Sequence, residues 1–220
     1  MALSTNKAYQ VAVVDDHTLL RNALARLIAS FDNYAVPFEA NNGKELIEKI
    51  NEFGIPDIVL LDINMPEMNG YDTAKWLTQK HPQVKILALS MESDDASIIR
   101  MIRLGAKGFL MKNVEPDELN DALDSVIKKD FYLSETISGK VISGLHQDLN
   151  QPAEVLSLNE KEKEFLRLIC TELTYKEIAE KMFVSPRTVD DYRNSLFEKL
   201  KVHTRMGLAL YAIRNKVVEV

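Results

Sequence analysis

Apolar and polar residues follow two alternating patterns along residues 9–128. Short apolar runs, such as Ile58–Leu61, are typical of strands buried on both faces of a parallel sheet. Between these runs, apolar residues recur at helical spacing, as in Leu20, Leu24 and Leu27. The runs predict strands at Tyr9–Val14, Tyr34–Glu39, Ile58–Asp62, Val84–Leu89 and Gly108–Met111. The helical spacing predicts helices at Thr18–Ser30, Asn42–Asn51, Tyr71–Lys80, Asp95–Leu104 and Pro116–Lys128.

This alternation of strands and helices predicts an α/β domain with a doubly wound, five-stranded parallel sheet. The signals in residues 153–220 are helical, which predicts a second, smaller all-α domain. Between the two lies a stretch that mixes Ser, Gly and Pro with a few apolar residues, as linkers do. We therefore expect domains at 8–129 and 153–220, joined by a linker at 130–152.

Four N-cap signals divide the C-terminal region into four helices. The capping residues are Asn159, Thr174, Ser185 and Thr204. A short second helix, a turn at Phe183–Ser185 and a longer third helix have helix-turn-helix spacing. On the third helix, Val189, Leu196 and Leu200 form a stripe that we expect to be buried. The opposite face, which would enter the major groove of DNA, carries Arg187, Asp190, Asp191, Asn194, Glu198 and Lys201.

Charge is distributed unevenly along the 220 residues, whose formal net charge is −6. Residues 1–154 carry 15 basic and 23 acidic side chains, whereas residues 155–220 carry 12 basic and 10 acidic ones. The single cysteine excludes an internal disulfide framework and a cysteine-based zinc site. The polar N-terminus has no signal core, and no apolar run approaches the length of a membrane span, so we expect a cytoplasmic protein that does not engage a membrane.

Polar side chains follow four of the predicted strands. They are Asp15 and Asp16, Asp62, Ser90 and Lys112. Right-handed crossovers bring these strand ends to one edge of the sheet, so we expect the side chains to converge there. Clustered carboxylates repel one another unless a cation joins them, and an all-oxygen set suits Mg²⁺. An aspartate beside Mg²⁺ and a lysine is a plausible covalent phosphoryl acceptor.

Residues 9–128 resemble the receiver domain of bacterial two-component response regulators, which have a flavodoxin-like fold. The resemblance rests on Asp15-Asp16, Asp62 followed by Pro66 and Gly70, Ser90 and Lys112. It implies that Asp62 accepts the phosphoryl group and that Ser90 and Lys112 contact it. It also implies that Asp16, Asp62 and the Asn64 carbonyl bind Mg²⁺, with Asp15 acting through water, and that Phe109 is the aromatic switch. In the family a proline usually follows the lysine, whereas here Asn113 does.

Residues 153–217 resemble the LuxR-type DNA-binding domain of the NarL/FixJ family. The resemblance rests on Leu158–Glu162, Lys176–Ala179, Ser185–Val189 and Lys199–Val202. It implies that the DNA-contacting residues are Arg187, Thr188, Asp190, Asp191, Asn194 and Lys201. In the family a lysine usually stands where this chain has Asp190, and the Asp190-Asp191 pair near phosphates opposes DNA binding.

Together the two resemblances predict a phospho-accepting transcriptional regulator rather than an enzyme. Its partners would be a sensor histidine kinase, double-stranded DNA and a second copy of the chain in a homodimer. The alternative is a phosphorylation-controlled protein-interaction switch whose helical domain no longer binds DNA, and Asp190-Asp191 support it. A phosphohydrolase that uses Asp62 is a further alternative, but the haloacid type needs a second aspartate where this chain has Asn64. We expect His17, beside the acidic pair, to be a helix-start residue rather than a ligand.

Overall fold

The computed structural model describes residues 8–91, 95–134, 137, 158–215, 217 and 218. Within these ranges the N-terminal domain contains seven strands, which are β1 Tyr9–Val14, β2 Tyr34–Ala35, β3 Glu39–Ala40, β4 Ile58–Asp62, β5 Lys85–Ser90, β6 Ala106–Met111 and β7 Tyr132–Leu133. Its helices are α1 Thr18–Ala29, α2 Gly43–Phe53, α3 Gly70–Lys80, α4 Asp95–Arg103 and α5 Pro116–Lys128. The strand order is β2-β1-β4-β5-β6-β7, β3 also pairs with β1, and every pair is parallel.

The predicted α/β class and parallel sheet are confirmed, but the predicted count of five strands is wrong. The second predicted strand is two short pieces, β2 and β3, and Pro37 lies between them. Proline has no N–H to donate to a strand ladder, so the strand is interrupted there. The seventh strand, β7, pairs with β6 and lies where the sequence predicts linker. Most of the rest of that predicted linker, 135–136 and 138–152, lies outside the described residues.

Side chains on the two faces of the sheet bury separate apolar clusters. One cluster joins alternate residues of β1 and β4 to Leu46 of α2, Leu77 of α3 and Ile98 of α4. The other cluster joins the intervening strand residues to Ile28 of α1 and Leu123 of α5. Because strand side chains alternate between faces, this two-sided burial explains why the strands read as continuous apolar runs.

The C-terminal domain has the predicted four helices, α6 Glu160–Ile169, α7 Tyr175–Lys181, α8 Pro186–Leu200 and α9 Arg205–Arg214. Each predicted cap forms, because the side chains of Asn159, Thr174, Ser185 and Thr204 accept hydrogen bonds from backbone N–H groups. The first two are complete capping boxes. In the turn between α7 and α8, Phe183 adopts a left-handed backbone with φ of 56°. Within the described residues, none of the helices is long and apolar enough to cross a membrane.

Arg205, at the start of α9, forms hydrogen bonds in both domains. The residue is 1% exposed, and its guanidinium donates to the carbonyl oxygens of Ile169, the last residue of α6, and of Thr171 and Leu173 in the loop that follows. It also donates to the carbonyl of Lys129, just after α5, over 3.2 Å. The guanidinium therefore satisfies the free carbonyls at a helix end and contacts the receiver-like domain at the same time.

Candidate phosphoacceptor site and DNA-binding surface

The carboxyl ends of β1, β4, β5 and β6 bring the predicted polar side chains to one edge of the sheet. The Lys112 ammonium lies 2.7 Å from Asp62 Oδ2 and 2.8 Å from Asp15 Oδ2. Asp15 and Asp62 are buried, and the Lys112 side chain is also almost completely enclosed. The predicted convergence is therefore present, and Lys112 bridges the two buried carboxylates.

The buried charges shift one another's pKa. Burial raises the pKa of Asp62, and repulsion from Asp15 raises it further, whereas the Lys112 ammonium opposes both effects. Burial by itself would lower the pKa of Lys112, but hydrogen bonds and charge attraction from Asp15 and Asp62 outweigh it and raise the pKa. Lys112 is thus held as a cation, and it partly neutralises a site that contains excess negative charge.

The loop after Asp62 is closed by a glycine. The Gly70 N–H donates to the Ile63 carbonyl over 2.8 Å, and a Cβ on Gly70 would lie 2.3 Å from the Asp62 carbonyl oxygen. Only a residue without a side chain fits this close approach of two backbone segments. The Asn64 N–H points at Asp62 Oδ1 over 3.4 Å, and Asn69 caps α3. The loop therefore returns tightly over the end of β4 and fixes the Asp62 carboxylate.

The acidic residues form a group that suits a divalent cation. One ligand atom from each of Asp15, Asp16, His17 and Asp62 lies within 4.8 Å of all the others. The carboxylate oxygens are hard ligands of the kind that Mg²⁺ takes. The His17 ring lies 2.8 Å from Asp16 Oδ1 and 3.1 Å from Asp15 Oδ1, and its side chain is 64% exposed. His17 precedes α1 at the N-cap position, as predicted, and orients the acidic pair.

Of the two predicted switch residues, Ser90 lies on β5, next to the strand that carries Asp62, and Phe109 lies on β6, one strand further along. Ser90 ends β5 and is buried, and its carbonyl accepts the Lys112 N–H over 2.8 Å. Phe109 on β6 is fully buried in the apolar cluster that contains Ile98 and Ile102 of α4. Phe109 therefore connects β6, the strand that leads to Lys112, with helix α4, against which its side chain packs.

Arg21, which was not identified from the sequence, hydrogen-bonds the backbone of the acidic pair. Arg21 lies on α1, is 8% exposed and donates from Nη1 to the Asp15 carbonyl over 2.6 Å. Its Nε lies 3.4 Å from Glu39 Oε2, on β3. The signal was a charged residue between Leu20 and Leu24 on the predicted apolar stripe of α1, where a cation needs a buried partner.

Helix α8, the predicted recognition helix, buries the predicted apolar stripe and exposes most of the predicted polar face. Val189, Leu196 and Leu200 are buried against the other helices of the domain. The exposed residues include Arg187, Asp190, Asp191, Asn194, Glu198 and Lys201. Thr188 is half-buried, and its N–H donates to Oγ of Ser185, the N-cap residue of the helix. Lys201 does not continue the helix, because it adopts a left-handed backbone at the C-cap with φ of 54°.

Part of α8 lines a cavity together with residues of the first domain. Arg193, Asn194 and Phe197 line a cavity whose opposite wall includes Lys85 of β5 and Lys107 of β6. Arg193, Asn194 and Phe197 thus face the first domain across the cavity, while Arg187, Asp190 and Asp191 are exposed to solvent.

Family models match both parts of the chain. Residues 11–124 match the response regulator receiver domain, and residues 156–212 match the luxR family of bacterial regulatory proteins. The response regulator GacA of Pseudomonas viridiflava is 32% identical over 96% of this chain and 98% of its own length. The nitrate/nitrite response regulator NarL of Escherichia coli K12 is 28% identical over 98% of this chain and all of its own.

Solved structures show the same fold. RcsB of Salmonella enterica serovar Typhimurium, bound to the promoter P1flhDC with the phosphomimetic BeF₃⁻, matches with a TM-score of 0.59 and 22% identity. The match covers 95% of this chain and all of that one. A LuxR-family response regulator from Aurantimonas sp. SI85-9A1 matches 62% of this chain with a TM-score of 0.57 and 26% identity. The chain therefore belongs to the two-component response regulators, with a receiver domain followed by a LuxR-type DNA-binding domain.

Proposed function

We propose that Asp62 accepts a phosphoryl group from a sensor histidine kinase and that this modification controls DNA binding by α8. The observation that carries the proposal is the Lys112 ammonium, 2.7 Å from Asp62 Oδ2, beside the buried carboxylate of Asp15. A carboxylate held next to a cation at the edge of a parallel sheet is placed to attack an incoming phosphoryl group.

In the proposed transfer, an Asp62 oxygen forms a bond to phosphorus while the bond from phosphorus to the kinase histidine nitrogen breaks. The histidine ring leaves as a neutral imidazole once it takes up a proton. Lys112 is placed to neutralise the negative charge that grows on the transferred group, and Ser90 is placed to hydrogen-bond it afterwards. The fixed loop after β4 keeps the nucleophile in position throughout.

Asp15, Asp16 and Asp62, with the Asn64 carbonyl, would hold Mg²⁺. When bound, this ion supplies positive charge to the oxygens of the transferred phosphoryl group. The fit is supported by the oxygen donors of the acidic group, which lie close enough together to share one cation. Lys112 lies between the two buried carboxylates and offsets part of their charge.

The DNA-binding part of the proposal assigns contacts to the exposed face of α8. Arg187 and Lys201 would meet phosphate or guanine, and Thr188 would meet the backbone near the helix start. Asn194 would read adenine, and Asp190 and Asp191 would accept from cytosine amino groups. The match to the luxR family supports this reading over the protein-interaction alternative.

The proposal includes a homodimer that acts on paired half-sites in the cytoplasm, as two-fold symmetric regulators do. The family membership supports both points. The Arg205 hydrogen bond to Lys129 gives the receiver domain a physical path to the DNA-binding domain, and α8 lines a cavity together with Lys85 and Lys107 of the receiver domain.

The experiment is phosphorylation of the full chain by acetyl phosphate with Mg²⁺, followed by mass spectrometry. We expect one phosphoryl group, located on Asp62 and absent when EDTA removes the metal. Asp62→Asn should remove the mass shift, whereas Asp57→Asn should keep it, because Asp57 is exposed at the opposite end of the same strand. Modification of the Asp62→Asn variant to the same extent would overturn the proposal.

A further inference from the structure

A half-open cavity lies between the two domains, far from the end of the sheet that carries Asp62. Its volume is about 340 Å³, which is within the size range of small-ligand sites. Lys85 and Lys107, near the starts of β5 and β6, form one wall together with Asp130. Arg193 and Asn194 of α8 form the other.

The cavity wall contains more positive than negative charge. Asp130 supplies the only carboxylate among its described lining residues. Each oxygen of that carboxylate is already taken, by Lys85 at 2.6 Å and by Lys107 at 3.0 Å. Arg193 brings a third cation, and its own partner Asp190 is exposed and lies outside the lining. One carboxylate thus serves two lysines, with an arginine facing them.

Burial makes this excess costly. The Lys107 side chain is 10% exposed and that of Asp130 is 14% exposed. Burial lowers the pKa of Lys107, and the charges of Lys85 and Arg193 lower it further, against the attraction of Asp130. The Lys107 ammonium also donates to the His203 carbonyl over 3.5 Å, but that oxygen is neutral. A second anion would therefore stabilise the ammonium further, because Asp130 is shared between two lysines.

The cationic groups that line the cavity favour a particular class of anion. Two ammonium groups and a guanidinium fork approach the cavity from opposite sides, which suits a group with several oxygens and more than one negative charge. Asn194 also lines the cavity, and its amide adds a neutral donor and acceptor. The volume exceeds what inorganic phosphate fills, so room remains for further atoms.

We propose that this cavity binds a small phosphate-bearing molecule, which bridges Lys85 and Lys107 of the receiver domain to Arg193 of the recognition helix. Binding itself does not depend on phosphorylation of Asp62. Its consequence for DNA rests on the proposed function, because Arg193 and Asn194 belong to α8. The ligand holds them against the receiver domain, so it weakens DNA binding, and DNA weakens ligand binding by the same factor.

The test is calorimetric titration of the full chain with pyrophosphate at low salt and without Mg²⁺. Under these conditions the acidic Asp62 site repels the probe. We expect a dissociation constant below about 1 mM, which corresponds to a binding free energy of about −4 kcal/mol or more negative. Arg193→Gln and Lys107→Met should each weaken it at least tenfold. Lys75→Gln removes the same charge from an exposed position on α3 and should leave it unchanged.

Lys107→Met could weaken binding by disturbing the fold, because Lys107 is buried. Arg193→Gln provides an independent test, since the Arg193 side chain is partly exposed and lies in the other domain. Absence of pyrophosphate binding to the wild-type chain would overturn the proposal. So would equal binding by all variants, which would place the anion elsewhere. If pyrophosphate fails to bind but both variants bind a random-sequence duplex more weakly, the cations serve DNA phosphates and the small-molecule site is disproved. None of these results depends on whether Asp62 is phosphorylated.

Discussion

Lys112 Nζ lies 2.7 Å from Asp62 Oδ2, inside a site that is closed to solvent on that side. We predict that Lys112→Met slows phosphorylation by acetyl phosphate roughly a hundredfold, because one preorganised charge next to the reacting oxygens is lost. Quench-flow or mass-spectrometric time courses measure the rate. Lys80→Met removes an exposed lysine from α3 and should not change it. An unchanged rate in the Lys112 variant would contradict the role given to this ammonium.

Gly70 meets the Asp62 carbonyl so closely that an added Cβ would lie 2.3 Å from that oxygen. We predict that Gly70→Ala lowers the free energy of unfolding by roughly 1–3 kcal/mol, because the loop or β4 must shift. The same shift moves Asp62, so the phosphorylation rate should fall as well. Urea unfolding and the acetyl phosphate assay check both effects. Gln79→Ala, at an exposed position of α3, serves as the control, and equal stability of the two variants would refute the prediction.

Glu162 joins α6 to the recognition helix through Lys199, whose Nζ lies 2.9 Å from both carboxylate oxygens. Burial by itself would raise the pKa of Glu162, but Lys199 and the Asn159 N–H outweigh it and lower the pKa. A carboxylate with a lowered pKa stabilises the fold at pH above its unfolded value, and this contribution disappears as pH falls through the folded value.

We therefore predict that Glu162→Gln costs about 1 kcal/mol at pH 7, because the glutamine keeps the capping bond but not the charge. Unfolding of the full chain by calorimetry should show that the difference begins to shrink as pH falls below about 4.3, the ordinary pKa of a glutamate, and disappears once the folded state is protonated as well. Lys163→Gln, a cation near the same helix start, should not reproduce this pH dependence. A difference that persists at acid pH would exclude the ion pair as the cause.

Asp190 and Asp191 are exposed on the face of α8 that is predicted to meet DNA, and the resemblance to the LuxR-type domain leads us to expect a lysine at the Asp190 position. We predict that Asp190→Lys strengthens binding to a random-sequence duplex and steepens its salt dependence by about one unit of slope, through one new phosphate contact. Fluorescence anisotropy at several salt concentrations measures both. Glu48→Lys makes the same charge change on α2 of the receiver domain. If both variants behave alike, the gain comes from net charge and not from the recognition face.

The main elements could be predicted because each has a local cause. Continuous apolar runs such as Ile58–Leu61 mark strands covered on both faces, and side-chain caps such as Asn159 mark helix starts. The convergence of Asp15, Asp62 and Lys112 follows from the handedness of parallel crossovers, which puts the carboxyl ends of these strands at one edge of the sheet. The alternation of strands and helices in the sequence was therefore enough to predict it. These features depend on neighbouring residues or on general topology.

The features that the sequence did not predict depend on distant parts of the chain. β7 forms only because β6 has a free edge for Tyr132 and Leu133, and nothing within those two residues marks a strand. Arg205 reads as an ordinary helix-start residue, yet it is buried by carbonyls that lie more than 30 positions away. The Asp130 pair with Lys85 and Lys107 likewise joins residues from separate elements. Such contacts require the three-dimensional arrangement.

The most direct test of the central claim is the DNA affinity of the full chain with and without beryllofluoride and Mg²⁺. The probe is a duplex selected from a random library by the activated protein. If phosphorylation of Asp62 controls DNA binding, beryllofluoride should tighten binding at least tenfold in the wild-type chain and leave the Asp62→Asn variant unchanged. Equal affinity with and without beryllofluoride, in a protein that takes up the phosphoryl group on Asp62, would contradict that claim.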